Sequence, residues 1–144
     1  MFGFGKGKVE LALNSTNPAF GEIITGTASM QLKSQQQARG FIVQLLAERS
    51  VTRSEYRNGK HYNDTHTETV YQSEQQLGGE GPYGTQPYQF QFQMKLPQQS
   101  EIPGASGGFW NALSGVGKPN WYVVAKLDIP NGMDVSKKLK ISVH

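Results

Sequence analysis

The segment Pro87-Tyr88-Gln89-Phe90-Gln91-Phe92-Gln93-Met94-Lys95-Leu96-Pro97 alternates strictly between apolar and polar residues and is closed at each end by proline. Side chains alternate across a pleated strand, so Tyr88, Phe90, Phe92, Met94 and Leu96 share one face, while Gln89, Gln91, Gln93 and Lys95 share the other. A strand with one greasy and one wet face belongs to an antiparallel sheet that packs one side on a core, as in a β-sandwich.

The rest of the chain supplies partners for such a strand. Residues 8–14 place Val9, Leu11 and Leu13 on one face, and Asn14-Ser15-Thr16-Asn17-Pro18 stops them with turn residues. Residues 22–32 alternate again, with Ile24, Gly26, Ala28, Met30 and Leu32 together; Gly26 marks a bulge or a close approach. Residues 38–52 are apolar on both faces around Phe41, Ile42, Val43, Leu45 and Leu46. A helix fits this run, but its β-branched and aromatic content favours a long central strand. Asn58-Gly59 is a hairpin signal, and the return strand, residues 66–77, is poor in large apolar side chains and reads as an edge. Residues 78–84 read as a loop. Residues 121–129 and 138–143 complete the set, with Trp121, Val123, Ala125, Leu127 and Ile129, then Leu139, Ile141 and Val143, facing inward. The fold class expected is an all-β, immunoglobulin-like antiparallel sandwich of about seven or eight strands.

Composition narrows the function. The 144 residues suit a single domain over 1–144, large enough to bury a core without staples. Cysteine is absent, which excludes a disulfide framework, a thiolate nucleophile and cysteine-ligated metal. The start, Met1-Phe2-Gly3-Phe4-Gly5-Lys6, lacks the apolar run of a signal peptide, and no stretch reaches the length of a membrane span, so a cytoplasmic location is expected. The net charge of +3 is too small to imply nucleic-acid binding, although Tyr56-Arg57 and Lys60-His61-Tyr62 pair aromatic with basic residues as a single-strand binder would. Lys6 and Lys8 near one end, with Lys137, Lys138 and Lys140 near the other, form a candidate basic patch if the ends meet; lysines that merely protect edge strands fit the same pattern.

The order of three motifs resembles an arrestin-type domain. Phe20-Gly21-Glu22-Ile23-Ile24-Thr25-Gly26-Thr27 is similar to the family's Pro-Gly-Glu-x-Val-x-Gly turn and second strand, with Phe20 in place of proline. The alternating strand ending in Leu96-Pro97 is similar to its aromatic-rich strand. Trp121-Tyr122-Val123-Val124-Ala125-Lys126-Leu127-Asp128-Ile129-Pro130, followed by Asp134-Val135-Ser136-Lys137-Lys138, is similar to its tyrosine-containing strand and the approach to the last one. The resemblance implies a sandwich that works as a protein-binding adaptor or scaffold, as in arrestin-fold trafficking adaptors and bacterial sporulation-control proteins. Those proteins usually pair two such domains, whereas this chain has room for one, and it lacks the Pro-Pro-x-Tyr motifs by which some relatives recruit ubiquitin ligases.

Candidate sites are few. Residues 104–117 set Phe109, Trp110 and Leu113 among glycines, a pattern that suits either an anchor for a partner or membrane interface, or a plug for one end of the sandwich. His61, Asp64 and His66 are close in sequence but have no third ligand at a metal-site spacing. The carboxylate pairs Glu48 with Glu55 and Glu68 with Glu74 lack an apolar pocket that would separate their pKa values, and no nucleophile elbow or phosphate loop is present. No enzyme activity, cofactor or metal is expected. The expected partner is another protein, gripped by an edge strand near residues 65–76 and by the 104–117 loop, with self-association through the same edge and peripheral contact with an anionic membrane as further expectations.

Overall fold

The computed structural model describes residues 6–102, 118–130 and 134–144. Their strands are β1 (Gly7–Leu13), β2 (Ile23–Leu32), β3 (Gln36–Ala38), β4 (Gly40–Arg57), β5 (Lys60–Gly78), β6 (Gly81–Tyr83), β7 (Tyr88–Lys95), β8 (Asn120–Asp128) and β9 (Val135–Ile141). They pair antiparallel throughout, in sheets ordered β1-β2-β7, β5-β4-β8-β9 and the small β3-β6. The only helical element among the described residues is a 3₁₀ turn at Gln99–Glu101. This is the antiparallel sandwich of arrestin type that the motifs anticipate. The strand count exceeds the expectation because two short strands form in addition, β3 between two expected strands and β6 within residues 78–84, which read as loop.

The alternating strand is β7. Its apolar side chains do face one way: Phe92, Met94 and the following Leu96 are buried, and Tyr88 and Phe90 pack at the margin of the core. The wet face carries Gln89, Gln91 and Gln93, all exposed. Opposite it, β4 is a strand and not a helix, and Phe41, Val43 and Leu45 are fully buried. The buried faces of both larger sheets join one hydrophobic cluster, in which Trp121, Val123, Ala125 and Leu127 of β8 are all inward as expected.

Gly26 is a close approach and not a bulge, since the register through Leu13↔Gly26↔Phe92 is unbroken. A Cβ there would stand 2.7 Å from Phe92 Cζ and 2.8 Å from the Ala12 carbonyl oxygen. The phenyl ring occupies the space that any side chain on β2 would need.

The connection between β1 and β2 is tied to the segment after β9 by main-chain bonds. The amides of Ser142 and His144 donate to the carbonyls of Thr16 (2.8 Å) and Pro18 (3.1 Å), and Phe20 N–H returns a bond to the His144 carbonyl (2.8 Å). Phe20 then meets Trp121 edge-on, ring centroids 5.9 Å apart. These bonds hold β9 beside β1, which brings the lysines of the two strands to one margin.

Candidate functional site

The hairpin of β4 and β5 is much longer than the sheet that supports it. On its inner side β4 pairs with β8 only as far as Glu48↔Asn120, whereas its pairing with β5 runs on to Arg57↔Lys60. Residues 49–57 and 60–68 therefore form a two-stranded arm beyond the sandwich, on the order of 30 Å long at about 3.3 Å per residue. Asn58 (φ 52°) and Gly59 (φ 78°) close it with a two-residue turn in which both central residues have positive φ. The return strand thus begins at Lys60, earlier than its sequence expectation, and β5 is an edge along its whole length among the described residues.

Alternation gives the arm two different faces. One carries hydroxyl and amide groups in directly opposed pairs: Ser50↔Thr67, Thr52↔Thr65 and Ser54↔Asn63. The Thr52 and Thr65 hydroxyls are 3.0 Å apart, and Ser54 Oγ donates to Asn63 Oδ1 at 3.0 Å. The other face is ionic, with Glu68 between Arg49 (Nε to Oε2, 3.7 Å) and His66 (Nε2 to Oε1, 3.4 Å) around a buried Val51. A register shift between Ala47 and Glu48 marks where the arm leaves the body. At the tip, Tyr56 is 77% exposed and its ring lies 5.0 Å from that of His61 at a tilt of 34°, and Tyr62 is 46% exposed.

This geometry separates the residues that sequence proximity groups together. His61 lies on the hydroxyl face, Asp64 and His66 on the ionic one, so the three do not converge. Among the described residues no group of three potential ligands is placed to hold a metal. Each paired carboxylate has its own neighbour: Glu48 binds Lys138 (3.1 Å), Glu55 binds Arg57 (2.6 Å), Glu68 binds Arg49 and His66, and Glu74 accepts from Gln44 (3.1 Å).

The terminal lysines are brought to one margin but do not stand alone. Lys8 Nζ is 2.7 Å from Glu10, and that contact holds the Glu10 carboxyl below its ordinary pKa and the Lys8 amine above its own; Lys137 adds to the effect on Glu10. Lys138 reaches across to Glu48 and lies 4.2 Å over the Tyr122 ring. Lys140 is exposed and Lys6 half-buried. Phe109, Trp110 and Leu113 lie outside the described residues.

Two shallow grooves lie along β1-β2-β7. The larger, about 650 Å³, is lined by Thr25, Thr27, Gln91 and Gln93 and also by Gln75 of β5, and none of its described lining residues is ionisable. It offers hydrogen bonds but no acid or base. Tyr83, the last residue of β6, is raised above the ordinary tyrosine pKa of 10.0 by burial and then by Tyr88, and its hydroxyl donates to the Gly79 carbonyl at 2.7 Å.

The chain shares its fold with Spo0M, a sporulation control protein of Bacillus subtilis. The two superpose with a TM-score of 0.63 at 24% sequence identity, over 98% of this chain and 50% of Spo0M. The chain thus spans half the length of Spo0M, and the likeness carries the fold. No family model matches the chain, and no curated protein matches it by sequence. No helix among the described residues of this Spo0M-like sandwich is long and apolar enough to cross a membrane.

Proposed function

We infer that the chain is a non-enzymatic, cytoplasmic adaptor, one arrestin-like unit over residues 1–144, that binds a protein partner by adding the partner's strand to β5. The observation that carries this reading is the free edge of β5 beside the sandwich, residues 70–78, Val-Tyr-Gln-Ser-Glu-Gln-Gln-Leu-Gly. Edges not meant for pairing are usually blunted by charged residues, proline, bulges or a covering element. This stretch has neither lysine nor proline, its one charge is Glu74, its register shifts lie at its two ends and leave residues 71–76 regular, and no described strand covers it. An extended peptide laid along it gains main-chain hydrogen bonds, with specificity from alternate side chains. The segment bearing Phe109, Trp110 and Leu113, outside the described residues, is assigned a supporting role as apolar grip.

Glu10 and Glu48 among the lysines favour a protein over an anionic membrane as the partner, because each carboxylate offsets charge that a headgroup would need. That none of the larger groove's described lining residues is ionisable favours binding over catalysis.

Proline scanning tests the edge. Along a strand, successive N–H groups point alternately to the two sides. Of Gln75→Pro and Gln76→Pro, one breaks a bond to β4 and lowers the melting temperature, while the other removes only a donor from the free edge. Capture of the native partner from its source should disappear with the variant that keeps its melting temperature; undiminished capture by that variant refutes the edge. Deleting residues 109–113 without loss of capture would remove the loop from the proposal.

A further inference from the structure

A two-stranded ribbon standing in water is marginally stable, and three or more strands are needed for independent stability. The arm has such a ribbon's exposure, and the outer edge of residues 60–69 is unpaired among the described residues. We propose that this edge pairs antiparallel with the same edge of a second copy of the chain, on a two-fold axis through Thr65, making a four-stranded sheet from two arms.

Symmetry and charge together choose the register. A two-fold axis relating antiparallel strands in one sheet runs perpendicular to the sheet, so one residue must face its own copy. The regular stretch of β5 in the arm ends at Thr69, before the register shift opposite Ala47 and Glu48. An axis at Asp64 sets Asp64 against itself, and an axis at His66 sets Asp64 against Glu68 of the second copy. Like charges directly opposed are destabilising. An axis at Thr67 leaves only residues 65–69 in regular pairing. The axis at Thr65 uses residues 61–69 in full and opposes no like charges.

The contacts made in that register continue those already in the arm. On the ionic face, Asp64 meets His66 of the second copy, whose imidazole donates one N–H to that carboxylate and, when protonated, keeps Glu68 of its own chain through Nε2, and the Tyr62 hydroxyl meets Glu68. Each contact occurs twice by symmetry. On the other face, Thr65 meets Thr65, and Asn63 meets Thr67. The hydroxyl row Thr52–Thr65 then runs unbroken through the axis into Thr65 and Thr52 of the second copy. Pairing ends where Lys60 would pass Val70, so the β5 edge beside the sandwich stays open for a partner. The inference is therefore independent of the adaptor reading and does not compete with it.

The test combines assembly state with register in the full chain. Wild-type protein should be dimeric by light scattering. His66→Asp should weaken the dimer at least about tenfold, since it opposes two Asp pairs. Adding Asp64→His to it should restore the dimer by exchanging the two charges, a rescue that loss of folding would not permit. Because the chain has no cysteine, single replacements report register directly. Thr65→Cys alone, or an equimolar mixture of Asp64→Cys and His66→Cys chains, should give a disulfide-linked dimer under mild oxidation, whereas Thr67→Cys alone should not. One of the two predicted links has the closer, non-hydrogen-bonded geometry. A wild-type chain that is monomeric at its highest soluble concentration overturns the proposal. So does a dimer whose cross-links centre elsewhere, or one unaffected by His66→Asp.

Discussion

Phe41 of β4 and Phe90 of β7 stack 5.0 Å apart with their planes inclined by 21°, one ring from each of the two larger sheets. Phe41 is fully buried and Phe90 is partly so, which makes this pair a clamp at the margin where the sheets meet. Phe41→Ala removes a buried aromatic side chain and leaves a cavity beside Phe90, at a cost of about 3–5 kcal/mol. Urea titration should show an earlier midpoint with an unchanged slope, the mark of lost stability in an unaltered fold.

Gly26→Ala should destabilise the chain even though alanine suits a strand better than glycine. The new methyl group would meet the Phe92 ring and, within 2.8 Å, the Ala12 carbonyl oxygen. The ring can turn aside; the backbone of β1 cannot do so without straining its ladder. Overpacking of this kind costs about 1–3 kcal/mol. Pairing Gly26→Ala with Phe92→Leu should recover part of the loss in thermal unfolding, because the smaller side chain vacates the contested space.

These two positions show how much of the fold was legible. The period of residues 88–96 set the inward face of β7, and the glycine at 26 advertised a close approach, because both signals are local. The length of the arm was less visible. Asn58-Gly59 fixes the register Arg57↔Lys60 and so the arm as far as Glu48↔Thr69, yet residues 53–57 and 60–65 lack the apolar alternation that marks a strand packed on a core. They are strands whose two faces are both polar, held by cross-strand pairs such as Thr52 with Thr65. The hydroxyl row could have been read by laying the two segments against each other from the turn. The buried Gln44, bound to Glu74, had no such signal, since it sits in an apolar run and its partner lies thirty residues on.

Tyr83 predicts an alkaline limb in the stability curve. Burial raises its folded pKa above the unfolded value, so the folded state favours the protonated phenol. Its contribution is complete below the unfolded value and is lost as pH rises through the folded one. Unfolding free energy should therefore fall above about pH 10, the ordinary tyrosine range. Tyr83→Phe should flatten that limb while lowering stability at neutral pH, because the bond to the Gly79 carbonyl goes with the hydroxyl. A limb of unchanged steepness in the variant would assign it to other tyrosines.

The arm should be removable without loss of the sandwich. Its one buried apolar side chain, Val51, does not belong to the main hydrophobic cluster, and among the described residues every strand that pairs with β4 other than β5 does so at or before Glu48. Replacing residues 50–67 by Asn-Gly joins Arg49 to Glu68, neighbours already in register, with a turn suited to a two-residue hairpin. The cross-strand pairs that are lost contribute about 0.2–1 kcal/mol each and stabilise mainly the arm itself. The shortened chain should keep its β-type circular dichroism and melt within a few degrees of the full chain. Amide hydrogen exchange on the intact protein gives the complementary measurement. The interior of β8 should exchange only through global unfolding, and the arm through a separate, lower-energy opening. Equal protection of the two would mean that the arm is bound to the core more tightly than its exposed faces allow.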